Sequence, residues 1–173
     1  MKAIVLQGEP GKVSLVTDRP YPQPRPSYLL VDIKAVAVNP ADWKHIDFIN
    51  TKGAQLGCDF AGVVAETGTG YYKAWQKGDR ICGFAHGGNL FQHEDGAFAE
   101  RIAVKADMAF RIPENMSFED AATLGVGVIT CGQGLFQEMG LHLPSQPTTK
   151  GETILIYGGS SATGCLGIQF AKL

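Results

Sequence analysis

The chain has 173 residues, 45% of them apolar and 18% charged, and a formal net charge of -2. That length and composition suit one to one and a half ordinary globular domains and exclude a disordered chain. With no Lys/Arg run and no apolar run long enough to span a membrane, nucleic acid and the bilayer are excluded as main partners, and the expectation is a cytoplasmic protein.

In chain order, Met1-Lys2-Ala3-Ile4-Val5-Leu6 is too short for a secretory h-region and reads as a first strand. From there to Ile112, short apolar runs alternate with turn signals, the pattern of a compact β-barrel or sandwich rather than repeated βαβ units. The predicted strands are Ala3–Gln7, Val13–Thr17, Tyr28–Val38, Asp59–Thr67, Arg80–Ala85, Phe98–Val104 and Met108–Ile112. Pro20, Pro22, Pro24 and Pro26 mark an extended connector, because proline blocks both helix and central-strand pairing. Gly78-Asp79 reads as a turn with a structural aspartate, and Trp43, Tyr71 and Tyr72 read as packing residues.

Ser117-Phe-Glu-Asp120 has the serine-then-acid spacing of a helix N-cap, and apolar residues continue from Ala121 through Phe136. Gly125, Gly127, Gly132 and Gly134 weaken a helix there. A break near Gly125–Gly127 is expected, with close packing or backbone approach to a ligand. Leu143 to Gly151 is a polar, proline-containing loop, and the domain boundary is placed within residues 115–150.

The final stretch, Thr153-Ile-Leu-Ile-Tyr-Gly-Gly-Ser-Ser-Ala-Thr-Gly164, reads as a buried strand over Thr153–Tyr157, then a Gly/Ser turn, then a helix from Ala162 to Leu173. A helix N-terminus offers unpaired N–H groups and the positive end of its dipole, so a pyrophosphate can sit there without a lysine. From Gly159 the segment is G-x-S-x-x-G, with Ser161 in place of the middle glycine of the dinucleotide fingerprint. Two readings stand side by side: a phosphate-binding turn, or a tight strand-to-helix turn with a serine N-cap. The ribose-reading residue, expected roughly 20 positions beyond the turn, falls past Leu173.

Cys58, Cys82, Cys131 and Cys165 form no C-x-x-C pair and read as reduced, mostly buried thiols without metal-ligand spacing. His45, His86, His93 and His142 have no acid or nucleophile at a telling spacing and read as surface or loop residues.

Five segments occur in a telling order: Val38-Asn-Pro-Ala-Asp-Trp-Lys44, Leu56-Gly-Cys-Asp-Phe-Ala-Gly-Val-Val64, Gly78-Asp-Arg-Ile-Cys-Gly-Phe84, Gly96-Ala-Phe-Ala-Glu100 and Ala121-Ala-Thr-Leu-Gly125. Together they resemble the medium-chain dehydrogenase/reductase family, and within it the zinc-free quinone and enoyl reductases. Over Ser117–Gln137 and Gly158–Leu173 the chain is most similar to the fungal trans-acting enoyl reductases that assist polyketide synthases. The likeness covers essentially the whole chain but about half of such a two-domain reductase. It implies a mainly β fold with an α/β start at the C-terminal end. Residues 1–120 would be a GroES-like β-barrel carrying the substrate site, 121–150 a connecting helical region and loop, and 151–173 the first βα unit of a Rossmann fold.

The resemblance further implies reduction of an activated C=C bond by hydride from NADPH, with a small-molecule or carrier-bound enoyl or quinone substrate. A polyketide synthase and a second copy of the chain are the implied partners. Lys44 would position substrate or relay a proton, the alternative being a solvated lysine at a helix start. Asn39 would help hold the developing oxyanion or cap that helix ahead of Pro40, with Asp42 favouring the helix N-terminus. Thr130 would approach the nicotinamide ribose and phosphates, or bond back to its own helix. Gly158, Gly159, Ser160, Ser161 and Gly164 would hold the pyrophosphate. No metal is implied. Where the family's alcohol dehydrogenases place a zinc-binding cysteine this chain has Asn39, where they have His-Glu it has Cys58-Asp59, and no cysteine lies between Cys82 and Cys131. A tyrosine acid, used by some enoyl reductases soon after the Asn-Pro segment, is missing from Ala41 to Gly53. The competing reading is a truncated, non-catalytic binding or interaction module derived from such a reductase. A lone strand at Thr153–Tyr157 cannot satisfy its edges without partners, so a chain that ended at Leu173 is expected to show exposed apolar surface and association.

Overall fold

Runs rich in β-branched and apolar residues, each bounded by turns, form seven strands in the computed structural model, which describes residues 1–148 and 151–173. These are β1 (Ala3–Leu6), β2 (Val13–Val16), β3 (Tyr28–Ala37), β4 (Asp59–Thr67), β5 (Arg80–Phe84), β6 (Arg101–Lys105) and β7 (Ala109–Arg111). β1 and β2 pair as an antiparallel ribbon, and the other five form an antiparallel sheet in the order β6-β3-β4-β5-β7. β6 starts three residues later than its apolar run because Phe98 and Ala99 serve β1 instead. Ile4 N donates to Phe98 O at 2.9 Å, and Ala3 bridges to Ala99.

The chain divides into two units, Met1–Val126 and Gly127–Leu173. In the first, Leu29, Val31, Phe60, Val64, Ile81, Ile102 and Val104 fill the core of the mainly β arrangement expected of the first part of the chain. A second layer forms where α2 (Phe118–Ala122) meets the sheet: Ala121 and Ala122 pack on Ala61, Cys82 and Ile112. Small side chains on both faces let helix and sheet approach closely. Ser117 Oγ accepts from Asp120 N at 3.0 Å, so the serine caps α2 as its spacing predicts. The helix then breaks at Thr123–Leu124, just ahead of the glycines, and restarts as α3 (Gly125–Cys131).

Three packing expectations are corrected here. Trp43 is half exposed, because it lies on the outer face of its short helix beside Phe48. Tyr72 is fully exposed, while Tyr71 packs on the core. Thr153–Tyr157 forms no strand ladder among the described residues, and Leu155 and Tyr157 are 92% and 100% exposed. The segment is apolar enough for a buried strand, but a strand exists only with a hydrogen-bonded neighbour.

In the second unit α3 runs on into a π-helical stretch, Gly132–Glu138, and α4 covers Ala162–Phe170, ending three residues before Leu173. The two helices pack through small residues. A methyl group at Gly127 would lie 2.5 Å from Leu166 Cδ1, and Cys131 Sγ donates to Thr163 O at 3.3 Å. Phe136 and Phe170 meet edge to face at 6.1 Å. No described helix is long and apolar enough to cross a membrane.

Candidate functional site

The end of β3 leads into Asn39, whose extended backbone caps α1 (Pro40–Lys44), with Pro40 in the first turn. Asp42, at the third helical position, reaches back so that its Oδ2 accepts from Asn39 N at 2.6 Å. Its side chain is only 3% exposed, and its Oδ1 has no partner among the described residues. Burial raises the Asp42 carboxyl above its ordinary range, against the pull of the Asn39 amide.

The helix winds on into a π-type turn, His45–Ile49, that closes at Asn50 in a left-handed conformation. His45 is therefore half buried, a correction to its reading as a surface residue: its ring packs against Gly88, and its Nδ1 is buried without a partner among the described residues. Burial lowers its pKa, with the Asp42 carboxylate opposing and His86 adding to the shift. The Cys58 thiol lies against Asp42 and is pushed up to about 12, first by burial and then by the Asp42 charge. It is a protonated thiol at neutral pH and a poor nucleophile.

Asp59, the first residue of β4, is 2% exposed and uses both carboxylate oxygens. Oδ2 accepts from Asn39 Nδ2 at 2.8 Å, and Oδ1 accepts from Val126 N at 2.6 Å. Burial raises its pKa, and these two hydrogen bonds oppose the shift. The structure thus gives Asn39 a capping and tethering position, with its amide nitrogen directed at Asp59. Lys44 lies on the exposed side of the same helix, forms no ion pair among the described residues, and has its Nζ 5.8 Å from the Trp43 ring centroid.

These residues do not fit a zinc ion. The Asn39 amide nitrogen offers a donor and no lone pair, and both oxygens of Asp59 are already occupied. Among the described residues no three His, Cys, Asp or Glu side chains converge as metal ligands.

In the second unit, the Gly158–Gly164 segment forms a tight turn onto α4. Gly158 takes φ of +83°, and Ser161 caps the helix, its Oγ accepting from Gly164 N at 3.1 Å. A Cβ at Gly164 would sit 2.2 Å from Gly158 O, so only glycine allows the helix this close to the turn. The serine N-cap is therefore present, and it leaves room for the other reading, because no described residue accepts from the amides of Ala162 and Thr163. Gly159 and Ser160 complete the turn. Thr130, on α3, is exposed, and its hydroxyl makes no hydrogen bond among the described residues. The residues present fit the pyrophosphate of a dinucleotide.

Sequence reasoning missed Asp59 as a junction and Val126 as its partner. The available signal was an acid between Cys58 and Phe60 at the head of an apolar strand, where a carboxylate needs donors if it is buried.

The alcohol dehydrogenase GroES-like domain family matches residues 25–114. The trans-enoyl reductase resD of Aspergillus sclerotiorum is 52% identical over all of this chain and 51% of its own length. The trans-enoyl reductase TOXD of Cochliobolus carbonum is 54% identical over 99% of this chain and 58% of its own length. The chain thus spans about half the length of the curated relatives it matches. Among solved structures, an alcohol dehydrogenase superfamily protein from Novosphingobium aromaticivorans superposes with a TM-score of 0.81 at 29% identity, over 99% of this chain and 50% of its own. The quinone oxidoreductase of Coxiella burnetii gives 0.72 at 31%, over 99% and 53%. A mycobacterial protein solved with NADPH gives 0.70 at 27%, over 99% and 50%.

Proposed function

Because the chain belongs to the alcohol dehydrogenase GroES-like domain family, we propose that it forms the N-terminal part of a zinc-independent, NADPH-dependent reductase of activated C=C bonds. The substrate would be an enoyl or quinone compound, free or carrier-bound, and a polyketide synthase would be the partner that presents a carrier-bound chain. The high identity to two trans-enoyl reductases over nearly the whole chain supports this choice of substrate class. In this reading residues 1–120 form the substrate domain, 121–150 connect, and 151–173 begin the cofactor domain of a cytoplasmic enzyme.

The single observation that carries the reading is the Gly158–Gly164 turn, with its serine cap, its obligatory glycine and its two unclaimed amides. Gly158, Gly159, Ser160, Ser161 and Gly164 would hold the pyrophosphate of NADPH, and Thr130 would meet its nicotinamide ribose. When bound, the reduced nicotinamide supplies the hydride. Negative charge then builds on the substrate's carbonyl oxygen, and the Lys44 ammonium, exposed and without an ion-pair partner among the described residues, is the group that would face it or pass it a proton. A preorganised donor of this kind contributes about 3 kcal/mol to such a step. Asn39 would act beside it, through the fixed start of α1.

A fluorescence titration of the chain with NADPH, beside NADH, tests this. Saturable binding of NADPH is expected, weakened about tenfold or more, which is ~1.4 kcal/mol, in a G164A variant whose added methyl group must push the turn open. A wild-type chain that binds neither nucleotide would mean that this polypeptide alone is not a cofactor-dependent reductase, leaving a part of a longer enzyme or a non-catalytic binding or interaction module.

A further inference from the structure

We propose that Asp59 is a positioning residue: its buried carboxylate fixes the start of α1, which carries Lys44, and the first turn of α3 at Val126 against the head of β4. The inference rests on the reductase reading above. Asp59 heads β4 and is paired in register with Ala37 of β3 and Phe84 of β5, so its backbone is held from both sides of the sheet. Its two oxygens then serve donors far away in sequence, Asn39 Nδ2 at 2.8 Å and Val126 N at 2.6 Å.

The Val126 amide belongs to the first turn of α3 and has no acceptor within its own helix. Such amides are ordinarily satisfied by a Ser, Thr, Asp or Asn just ahead of the helix, but the residue before Gly125 is Leu124. Asp59 therefore supplies from the sheet the cap that the local sequence lacks, and its negative charge favours that end of the helix. Gly125 has the matching adaptation: a methyl group there would lie 2.5 Å from Asp59 Oδ1 and 2.2 Å from Gly83 O. On the other side, the same carboxylate orients the Asn39 side chain, and Asn39 is the N-cap of α1.

The ionised form suits this place chemically, since both oxygens accept and neither donor can accept in return. Among the described residues Asp59 forms no ion pair, and the Asp42 carboxylate repels its charge. A buried acid held only by neutral donors lowers stability relative to an apolar residue of the same size. Its presence is accounted for by what it holds in place.

Substituting Asp59→Asn keeps the shape but turns an N–H donor toward Asn39 Nδ2 or Val126 N. In N39D/D59N the polarity is exchanged: the new amide at 59 can donate to the new carboxylate at 39 while still accepting from Val126 N. The test compares wild type, D59N and N39D/D59N by amide hydrogen exchange at Val126, by melting temperature, and by NADPH-linked reduction of a short 2-enoyl thioester with kcat and KM resolved. D59N is expected to speed Val126 exchange and to lower kcat about tenfold to a hundredfold with KM little changed. The double variant is expected to bring exchange and melting temperature back toward wild type. Unchanged kcat in a folded D59N, or no recovery of Val126 protection in the double variant, would overturn the proposal. If the wild-type chain by itself reduces nothing, the kcat comparison drops out and the exchange measurements decide whether Asp59 holds α3: unaltered Val126 exchange in D59N refutes it, accelerated and then restored exchange supports it.

Discussion

Burial holds the His45 imidazole below its ordinary value of 6.5, and the direction of that shift fixes how the fold responds to acid. The unfolded chain takes up the proton near pH 6.5, whereas the folded chain takes it up only at lower pH. The stability contributed by neutral, buried His45 is therefore complete above 6.5 and is lost as pH falls through that value toward the folded one. Asp42 and Asp59 act in the opposite sense. Burial raises both above 3.8, so in the window just above that value the folded chain keeps protons the unfolded chain has released, and acidification into that window adds stability. The two effects oppose each other, so the His45 contribution is read by comparison with a variant that lacks its imidazole. Between about pH 7 and pH 5.5 the melting temperature of the wild-type chain should fall, and that of H45Q should fall less steeply. Equal slopes in calorimetric scans of the two proteins would mean that His45 is not coupled to folding. The sequence could not show this residue's burial, because what buries it is a backbone detail. The helical start at Pro40 continues as a π-type turn that swings the ring against Gly88, forty-odd positions away in the chain.

At the level of elements, Gly125 is the tightest junction of helix and sheet around Asp59. A methyl group there meets two oxygens, one of them backbone that cannot move without dragging β5. G125A is expected to cost about 1–3 kcal/mol in denaturant unfolding, the range of overpacking a close contact. G132A provides the contrast, since nothing lies within 4 Å of a methyl group at that position, and it should be neutral or slightly stabilising as an alanine in a helical stretch. A G125A variant as stable as G132A would show that the sheet yields where the structure says it cannot. The same comparison shows what could be read in advance. The glycine cluster signalled close approach, and Gly125 has it, but composition alone did not separate Gly125 from Gly132 or Gly134, which face open space. Strands β1 to β5 were legible because each apolar run has its own turn signals, and the caps at Ser117 and Ser161 because their spacing is local. The diversion of Phe98 to β1 and the capping of α3 by Asp59 were not, since each depends on a partner distant in sequence. Thr153–Tyr157 failed for the same reason in reverse: its residues favour a strand, but a ladder is made by a neighbour and not by propensity.

At the scale of these 173 residues, the segment 153–157, without a ladder among the described residues, bears on solution behaviour. Leu155 and Tyr157 project from the second unit almost fully into solvent, and Ile168 of α4 adds further apolar surface to the same unit. A net charge of -2 offers little long-range repulsion to keep copies apart. Backbone donors and acceptors without a ladder can pair with those of another chain, so the expected event is edge-to-edge association through residues 153–157. In sedimentation velocity the wild-type chain should show a weight-average coefficient that rises with concentration, while L155K/Y157K should remain at the monomer value, because a lysine on an open edge opposes pairing. The first unit supplies the control, since Phe48 and Phe91 are also exposed there. If association survived L155K/Y157K but disappeared in F48K/F91K, the contact would belong to the barrel instead. A monodisperse wild-type monomer at high concentration would show that apolar exposure at residues 153–157 is tolerated without a partner. That outcome would remove association as the reason the segment is dangerous when unpaired.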